Sequence, residues 1–357
     1  VNGSAPAPPP HRPHSAHGGS GLARPAHTLR PERSGHSEHS VRPGGARADA
    51  LLAALDPPPR VPSPLQEVRD ERFARHGVRL LLKRDDLIHP FVPGNKWRKL
   101  APNLRAALDE GRTTLLTFGG AYSNHLRATA AAGRMLGLAT VGVVRGHELA
   151  ARPLNPSLAR CAADGMRLYF VSRSDYRRRH DPDFTGRLLH GTDAGPAEHR
   201  AVRDALHIPE GGSNSVAVHG CTALGEELRG RTDVAAVACG TGGTLAGLAA
   251  GLADGQSALG VPVLRGGFLT KSVRELQSSA FGGPRGRWRL DERFHFGGYA
   301  RTDAELDEFA AGFARRHALP PLEPLYVAKL LFALTTLAGE GAFARGSTVT
   351  AVVTGPG

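Results

Sequence analysis

Pro93-Gly94-Asn95-Lys96-Trp97-Arg98-Lys99-Leu100 is the stretch on which the reading of this chain turns. An apolar run at residues 78–82 leads towards it through Lys83-Arg84-Asp85-Asp86. Behind it, Leu100, Leu104 and Leu108 recur at i, i+4 and i+8, the spacing of one helix face. A strand, a glycine-containing turn and a helix therefore meet near Lys96. Glycine at that turn admits backbone angles that other residues resist. The start of a helix is electropositive, which opposes a protonated ammonium and favours a neutral amine. Lysines depressed in this way form Schiff bases with carbonyl compounds. Alone, the octapeptide reads more simply as a solvated, basic first turn. The rest of the chain reverses that.

Downstream, strand and helix patterns alternate. Apolar runs at 113–118, 139–144 and 166–171 read as strands, with helices at 123–136 and 158–164 between them. A second α/β stretch follows: a helix through residue 228, strands at 234–239 and 261–265, and a helix at 245–252. Helices at 304–317 and 326–337 precede a closing strand at 348–353. This rhythm predicts α/β architecture, with twisted, parallel-rich sheets carrying helices on both faces. Residues 173–200, rich in Arg, Asp and His with weak periodicity, read as a long exposed connection.

The chain of 357 residues is long enough for two domains. Residues 1–48 are set apart by Pro, Gly, Ser, His and Arg with almost no large apolar residue. Such a segment buries too little to offset its ordering entropy and is expected to be disordered. Its histidines (His11, His14, His17, His27, His36 and His39) have no fixed metal-ligand spacing. The formal net charge is +12, which raises the question of nucleic acid. The arginines are scattered, however, and only Arg177-Arg178-Arg179 is a tight run, so no nucleic-acid partner is expected. Cys161, Cys221 and Cys239 are too few and too dispersed for a disulfide framework or a zinc site, and they suit a reducing cytoplasm. No apolar run approaches the ~20 residues of a membrane span. Residues 1–48 also lack the apolar core of a secretory signal.

Two further stretches carry chemistry. The strand at 234–239 runs into Gly240-Thr241-Gly242-Gly243-Thr244, which opens a helix. Strand, glycine loop and helix make a phosphate cradle from bare amides and a positive helix end. A dinucleotide fingerprint needs glycine where Leu245 stands, and no Gly-Lys-Ser/Thr is present, so the loop suits a single phosphate monoester. Gly119-Gly120-Ala121-Tyr122-Ser123-Asn124-His125 is a second glycine-led helix entry. Capping explains one Ser or Asn there. Together, Ser123, Asn124 and His125 could also grip a small anion or a phenolic oxygen. The pair Asp85-Asp86 reads as turn chemistry rather than a metal site.

A Schiff-base lysine together with a monophosphate cradle points to pyridoxal phosphate. The motifs then complete a resemblance. Lys83-Arg84-Asp85-Asp86-Leu87, Gly94-Asn95-Lys96-x-Arg98-Lys99-Leu100, Gly119-Gly120-x-x-Ser123-Asn124-His125 and Pro209-Glu210-Gly211-Gly212-Ser213-Asn214 occur in order. Gly240 to Leu248, Glu323-Pro324-Leu325-Tyr326-x-x-Lys329 and Thr354-Gly355 follow. Over residues 60–357 the chain resembles the fold-type II pyridoxal-phosphate enzymes, tryptophan synthase β-like in fold. Within them it resembles the 1-aminocyclopropane-1-carboxylate (ACC) deaminase/D-cysteine desulfhydrase family. The resemblance implies a large cofactor domain from 49–99 and 206–357, a small domain from 100–205, and a homodimer. Lys96 would carry the cofactor, with Asn95 beside it, and Asn124 would bond the cofactor's phenolic oxygen. Gly240, Thr241, Gly242, Gly243 and Thr244 would hold its phosphate. Ser123 would lie near the substrate carboxylate or leaving group. Tyr326, and Tyr299 in Phe296-Gly297-Gly298-Tyr299, would flank the substrate.

Departures from the family pattern bear on substrate. ACC deaminases carry Glu where Val327 stands, Leu where Thr354 stands and Gln where His125 stands. All three differences point away from cyclopropane opening and towards β-elimination of the D-cysteine desulfhydrase kind, giving a 2-oxo acid, ammonia and sulfide. Desulfhydrases usually have Thr at the position of Val327, as partner of the pyridine nitrogen; in this sequence either Thr354 serves instead, or the nitrogen stays unprotonated and the cofactor is a weaker electron sink. Pro356 replaces a second glycine, and the family pattern continues past Gly357, so more chain is expected beyond it. Open alternatives are ACC deamination, β-replacement or racemisation, and cofactor binding without turnover.

Overall fold

The computed structural model describes residues 43–181, 183–190 and 195–355. Along the chain the strands are β1 (Leu65–Val68), β2 (Arg79–Lys83), β3 (Thr114–Gly119), β4 (Ala139–Arg145), β5 (Met166–Val171), β6 (Leu206–Ile208), β7 (Val234–Cys239), β8 (Ser257–Pro262), β9 (Trp288–Leu290) and β10 (Thr348–Val352). They form two sheets, one ordered β1-β2-β10-β7-β8-β9 and the other β5-β4-β3-β6. Among the described residues, only β1 runs antiparallel to its neighbour; the other pairings are parallel. β3 and β10 are buried at every position. That is what unbroken apolar runs produce when a parallel sheet is covered on both sides.

The first half supplies helices α1 (Pro43–Ala53), α2 (Glu71–Ala74), α3 (Asn95–Asp109), α4 (Asn124–Leu136), α5 (Pro156–Ala163), α6 (Arg173–Arg177), α7 (Phe184–Leu189) and α8 (Pro196–Arg203). The second half adds α9 (Ser215–Gly220), α10 (Thr222–Glu226), α11 (Gly243–Gly251), α12 (Leu269–Phe281), α13 (Ala304–Arg316) and α14 (Val327–Gly339). On one face of the six-stranded sheet, Leu330, Leu334 and Leu337 of α14 pack with Phe313 of α13 and Phe73 of α2. On the other face, Leu245 and Leu248 of α11 pack with Val273 of α12. The four-stranded sheet is likewise enclosed, by α3 and α4 on one side and α6 to α8 on the other.

Several elements differ from the sequence reading. α1 begins inside the stretch expected to be disordered (residues 1–48), because Ala48 and Leu52 are buried, Leu52 in the cluster that holds Leu100 and Leu104 of α3. Residues 1–42, with their histidines, lie outside the described residues. The stretch 173–200 is not simply an exposed connection. Its helices are too short to display a period, yet Tyr176, Phe184, Leu188 and Leu189 are buried against Phe118 and Val143. β8 spans Ser257–Pro262 rather than 261–265. Its register with β7 ends at the pair Cys239↔Pro262, and one more bond, from Val263 N–H to the Cys239 carbonyl at 3.0 Å, follows it. The helix expected to run through residue 228 breaks at Cys221 into α9 and α10. β6 pairs with β3 in the smaller sheet. β1, β9 and α12 carry no pattern noted in the sequence.

Candidate active site

The carboxyl end of β2 and the start of α3 are locked together by charge. Arg98 of α3 donates through Nε and Nη2 to Asp85 (2.7 and 2.8 Å) and through Nη1 and Nη2 to Glu227 (2.8 and 2.9 Å). Lys83 joins Glu227 at 2.5 Å, and Ser63 Oγ donates to Asp85 at 2.6 Å. The Asp85 and Asp86 carboxylates are thus spent on Arg98 and Arg84. No group of acidic, His or Cys side chains with metal-binding geometry occurs among the described residues. Gly94 then turns the chain into α3 at φ +69°, and a Cβ there would stand 1.8 Å from the Thr354 carbonyl. Only glycine fits both the angle and the contact.

Lys96 is in the first turn of α3, its side chain partly open to a cleft. Burial, and then the nearby Lys99 ammonium, push its amine down to about 7. The helix end favoured in the sequence reading is in place, but desolvation is the main cause. Lys96 Nζ lies 3.4 Å from Asn95 Oδ1, and Asn95 Nδ2 donates to Thr244 Oγ1 at 2.9 Å. Asn95 therefore ties the lysine to the glycine loop. Lys99, three residues on, donates to the Gly211 carbonyl at 3.0 Å and to Ser213 Oγ at 2.8 Å, with Thr241 Oγ1 at 3.5 Å. Burial lowers its amine as well. The sequence reading gave Lys99 no role. Its i, i+3 spacing from Lys96, which places two residues on one helix face, was the available signal.

Asn95, Lys96, Lys99, Gly240 to Gly242, Thr244 and Tyr326 line one cavity. A Cβ on Gly243 would come within 2.7 Å of Ser213 Oγ and 3.3 Å of Lys99 Nζ. One on Gly240 would come within 3.3 Å of the Tyr326 hydroxyl. Glycines keep this space open. A wider depression along α12, between Gly267 and Ser278, has Lys271 and Glu275 on an exposed helix face and no comparable convergence.

Tyr326 precedes α14. Its position is set by Glu323, whose carboxylate accepts from the backbone N–H groups of Leu325, Tyr326 and Val327 at 3.0, 2.7 and 3.2 Å. Burial holds the Tyr326 phenol well above its ordinary range, so it stays protonated. The Tyr299 ring stands 6.4 Å away at 70° and is 39% exposed at the rim. Val327 is buried in the core behind them.

The other expected residues are placed differently. Ser123 is the N-cap of α4, its Oγ accepting from Leu126 N at 3.3 Å, and Asn124 is exposed at the head of that helix. Both follow the carboxyl end of β3, outside the lining of the lysine cavity. Thr354 meets Gly94 through its carbonyl, and it too lies outside that lining. His125 does not reach an anion. Its ring is buried, and Nε2 donates to Thr117 Oγ1 at 2.8 Å, because the Thr117 hydroxyl itself donates to the Ile208 carbonyl at 2.8 Å. Burial and the two lysines hold it well below the ordinary histidine range, so it is neutral. Cys161, Cys221 and Cys239 are free thiols.

Two covered parallel sheets, a near-neutral lysine and a glycine-walled cradle describe an α/β enzyme that works through a phosphorylated carbonyl cofactor. The chain belongs to the pyridoxal-phosphate dependent enzyme family, whose model matches residues 58–355. It is similar to a putative ACC deaminase of Thermotoga maritima, 35% identical over 201 residues, spanning 54% of this chain and 59% of that one. A putative ACC deaminase of Pyrococcus horikoshii is 29% identical over 276 residues, 74% of this chain and 81% of the relative. The bifunctional D-cysteine desulfhydrase/ACC deaminase, mitochondrial, of Arabidopsis thaliana is 30% identical over 188 residues, 49% of this chain and 45% of its own length. A crystal structure of an ACC deaminase homologue superposes with a TM-score of 0.68 at 27% identity, covering 86% of this chain and 94% of that one. The residues present fit the family's cofactor: two lysine amines and the Thr241 and Thr244 hydroxyls border the space that Gly240 and Gly243 leave open. No helix among the described residues is long and apolar enough to cross a membrane.

Proposed function

We propose that this enzyme removes a β-leaving group and the amino group from a small amino acid, in the manner of a D-cysteine desulfhydrase. The products are a 2-oxo acid and ammonia, with sulfide when the substrate is cysteine. The observation that carries this reading is the Lys96 amine, pushed down to about 7 and held by Asn95 against a glycine-walled anion cradle. Pyridoxal phosphate supplies, when bound, an electrophilic carbonyl and an electron sink. Residues 240–244 would hold its phosphate through backbone amides at the start of α11, with Thr241, Thr244 and Lys99 completing the charge and hydrogen bonding. Asn124 would bond its phenolic oxygen, and Thr354 would serve the pyridine nitrogen where the Val327 side chain offers no polar atom.

A lysine with a pKa near neutrality accepts and returns a proton at Nζ without a large energetic step at either stage. Lys96 is therefore the base at the substrate Cα. Tyr326, protonated because it is buried, donates a hydrogen bond or proton towards the leaving group, and Tyr299 closes the same side. Ser123, at the positive end of α4, takes the substrate carboxylate. The relatives' names favour ACC as a second substrate; Val327, Thr354 and His125 favour the desulfhydrase reaction. We further infer a cytoplasmic homodimer, from the free cysteines and the family resemblance.

The test is the absorption spectrum of the purified protein with pyridoxal phosphate, before and after D-cysteine, with pyruvate and sulfide assayed in parallel. The expected result is a cofactor band that shifts on addition, with both products formed. A shifting band with no product from D-cysteine, and 2-oxobutanoate from ACC, would move the assignment to the deaminase. Absence of a cofactor band would remove the proposed function.

A further inference from the structure

We propose that Lys329 is a positioning residue that fixes the loop carrying Tyr299 and so sets Tyr299 against Tyr326. The inference rests on the reading of Tyr299 as an active-site phenol. Lys329 lies three residues after Tyr326, and its side chain is fully buried. Its Nζ donates to two backbone carbonyls, those of His295 and Gly298, each at 3.0 Å. No carboxylate forms an ion pair with it among the described residues.

The loop it reaches is held in an unfavourable conformation. Phe296 and Ala300 have φ of +52° and +57°, and Gly297 and Gly298 between them have +83° and +122°. Side-chain-bearing residues adopt left-handed backbone only where the surroundings over-determine it. Local contacts supply part of that: Gly297 N–H donates to His295 Nδ1, and Gly298 N–H donates to the His295 carbonyl, both at 3.0 Å. The rest comes from α14. The Phe296 ring meets Phe332 at 5.1 Å, and the Lys329 ammonium gathers the two carbonyls that bracket the turn. Tyr299 is the next residue, and its ring contact is with Tyr326, at 6.4 Å. One helix therefore places both phenols: Tyr326 directly at its start, and Tyr299 through Lys329 one turn in.

An ammonium suits this place because it has three donors and no acceptor. Methionine would fill the same channel but remove the charged donor that joins the two carbonyls, leaving each with only a local backbone donor, Gly298 N–H for His295 and Arg301 N–H for Gly298. The test compares Lys329→Met, Tyr299→Phe and the double variant in the full chain. In protein without added pyridoxal phosphate, hydrogen exchange of the amides at 296–301 should rise about tenfold or more in Lys329→Met and stay unchanged in Tyr299→Phe. In the loaded enzyme each single variant should lower kcat/KM by about tenfold, and the double variant should lose no more than the worse single. If Lys329→Met does not fold, Lys329→Gln, which keeps an amide donor, carries the same comparison with smaller shifts. Unchanged loop exchange, or losses that multiply in the double variant, would overturn the proposal. Raised exchange with a fully active Tyr299→Phe would leave the latch standing and remove Tyr299 from the proposed active site.

Discussion

Helix α3 presents two kinds of cation within four residues, and they meet opposite surroundings. Arg98 points into a cluster where Asp85 and Glu227 neutralise it and Lys83 completes the charge balance. Lys96 and Lys99 point into a cavity that offers hydroxyls, carbonyls and amides but no ion-paired carboxylate among the described residues. The first arrangement is closed and explains itself as a clamp between α3, β2 and α10. The second leaves positive charge uncompensated beside an open cavity, where a ligand can supply the anion. Within α3, paired charge marks structure, and unpaired charge facing a cavity marks function.

The contrast breaks most sharply if Lys96 proves dispensable. Lys96→Ala should reduce product formation by about a thousandfold or more and abolish the cofactor band that shifts with substrate. Its activity and its spectrum at saturating cofactor check this together.

Arg98→Met should act on stability. It strands Asp85 and Glu227 beside one remaining cation, and the loss should be roughly 3–5 kcal/mol in urea unfolding. A variant as stable as the parent would mean that the clamp is ornamental. Lys99→Met should do the reverse. It removes a buried ammonium that has no counter-charge, so cofactor-free stability should hold or rise. Pyridoxal-phosphate affinity should meanwhile fall about 10- to 100-fold, the value of a charge-assisted hydrogen bond. Spectrophotometric titration and thermal unfolding of the same sample separate the two.

The stability of the empty protein should also depend on pH. Folding lowers the Lys96 pKa from 10.5 to about 7, so the unfolded chain binds its proton more tightly. Lys96 therefore contributes no penalty above pH 10.5, a penalty that grows as pH falls towards 7, and a constant one below. Cofactor-free Lys96→Met should gain stability over the parent across that window, with the gain levelling off below pH 7. A difference independent of pH between 7 and 10.5 would show that Lys96 is not desolvated.

The parts of the site that are continuous in sequence were legible there. Gly94 to Lys96 and Gly240 to Thr244 each hold a strand end, a glycine turn and a helix start within a few residues, so local backbone chemistry reveals them. Lys99, Ser213 and Gly211 escaped because they meet across 112 to 114 residues of chain. His125 was read as a gripping group because its neighbours Ser123 and Asn124 are polar. Only burial beside Thr117 turns it inward and keeps it neutral. The helices between 173 and 203 were missed for want of length, and β8 was placed late because its apolar run continues to Leu264, past the end of the strand at Pro262.

By itself, the sequence determined an α/β fold of parallel sheets, the lysine at the head of a helix and the glycine cradle on a different strand. These are statements about periodicity and backbone freedom, which neighbours in the chain control. Tertiary structure alone decided which cations are neutralised and which are left for a ligand, why the Lys96 amine titrates near neutrality, and what holds Tyr299 to Tyr326. Those depend on desolvation and on charges brought within a few ångströms by folding, and no spacing along the chain encodes them.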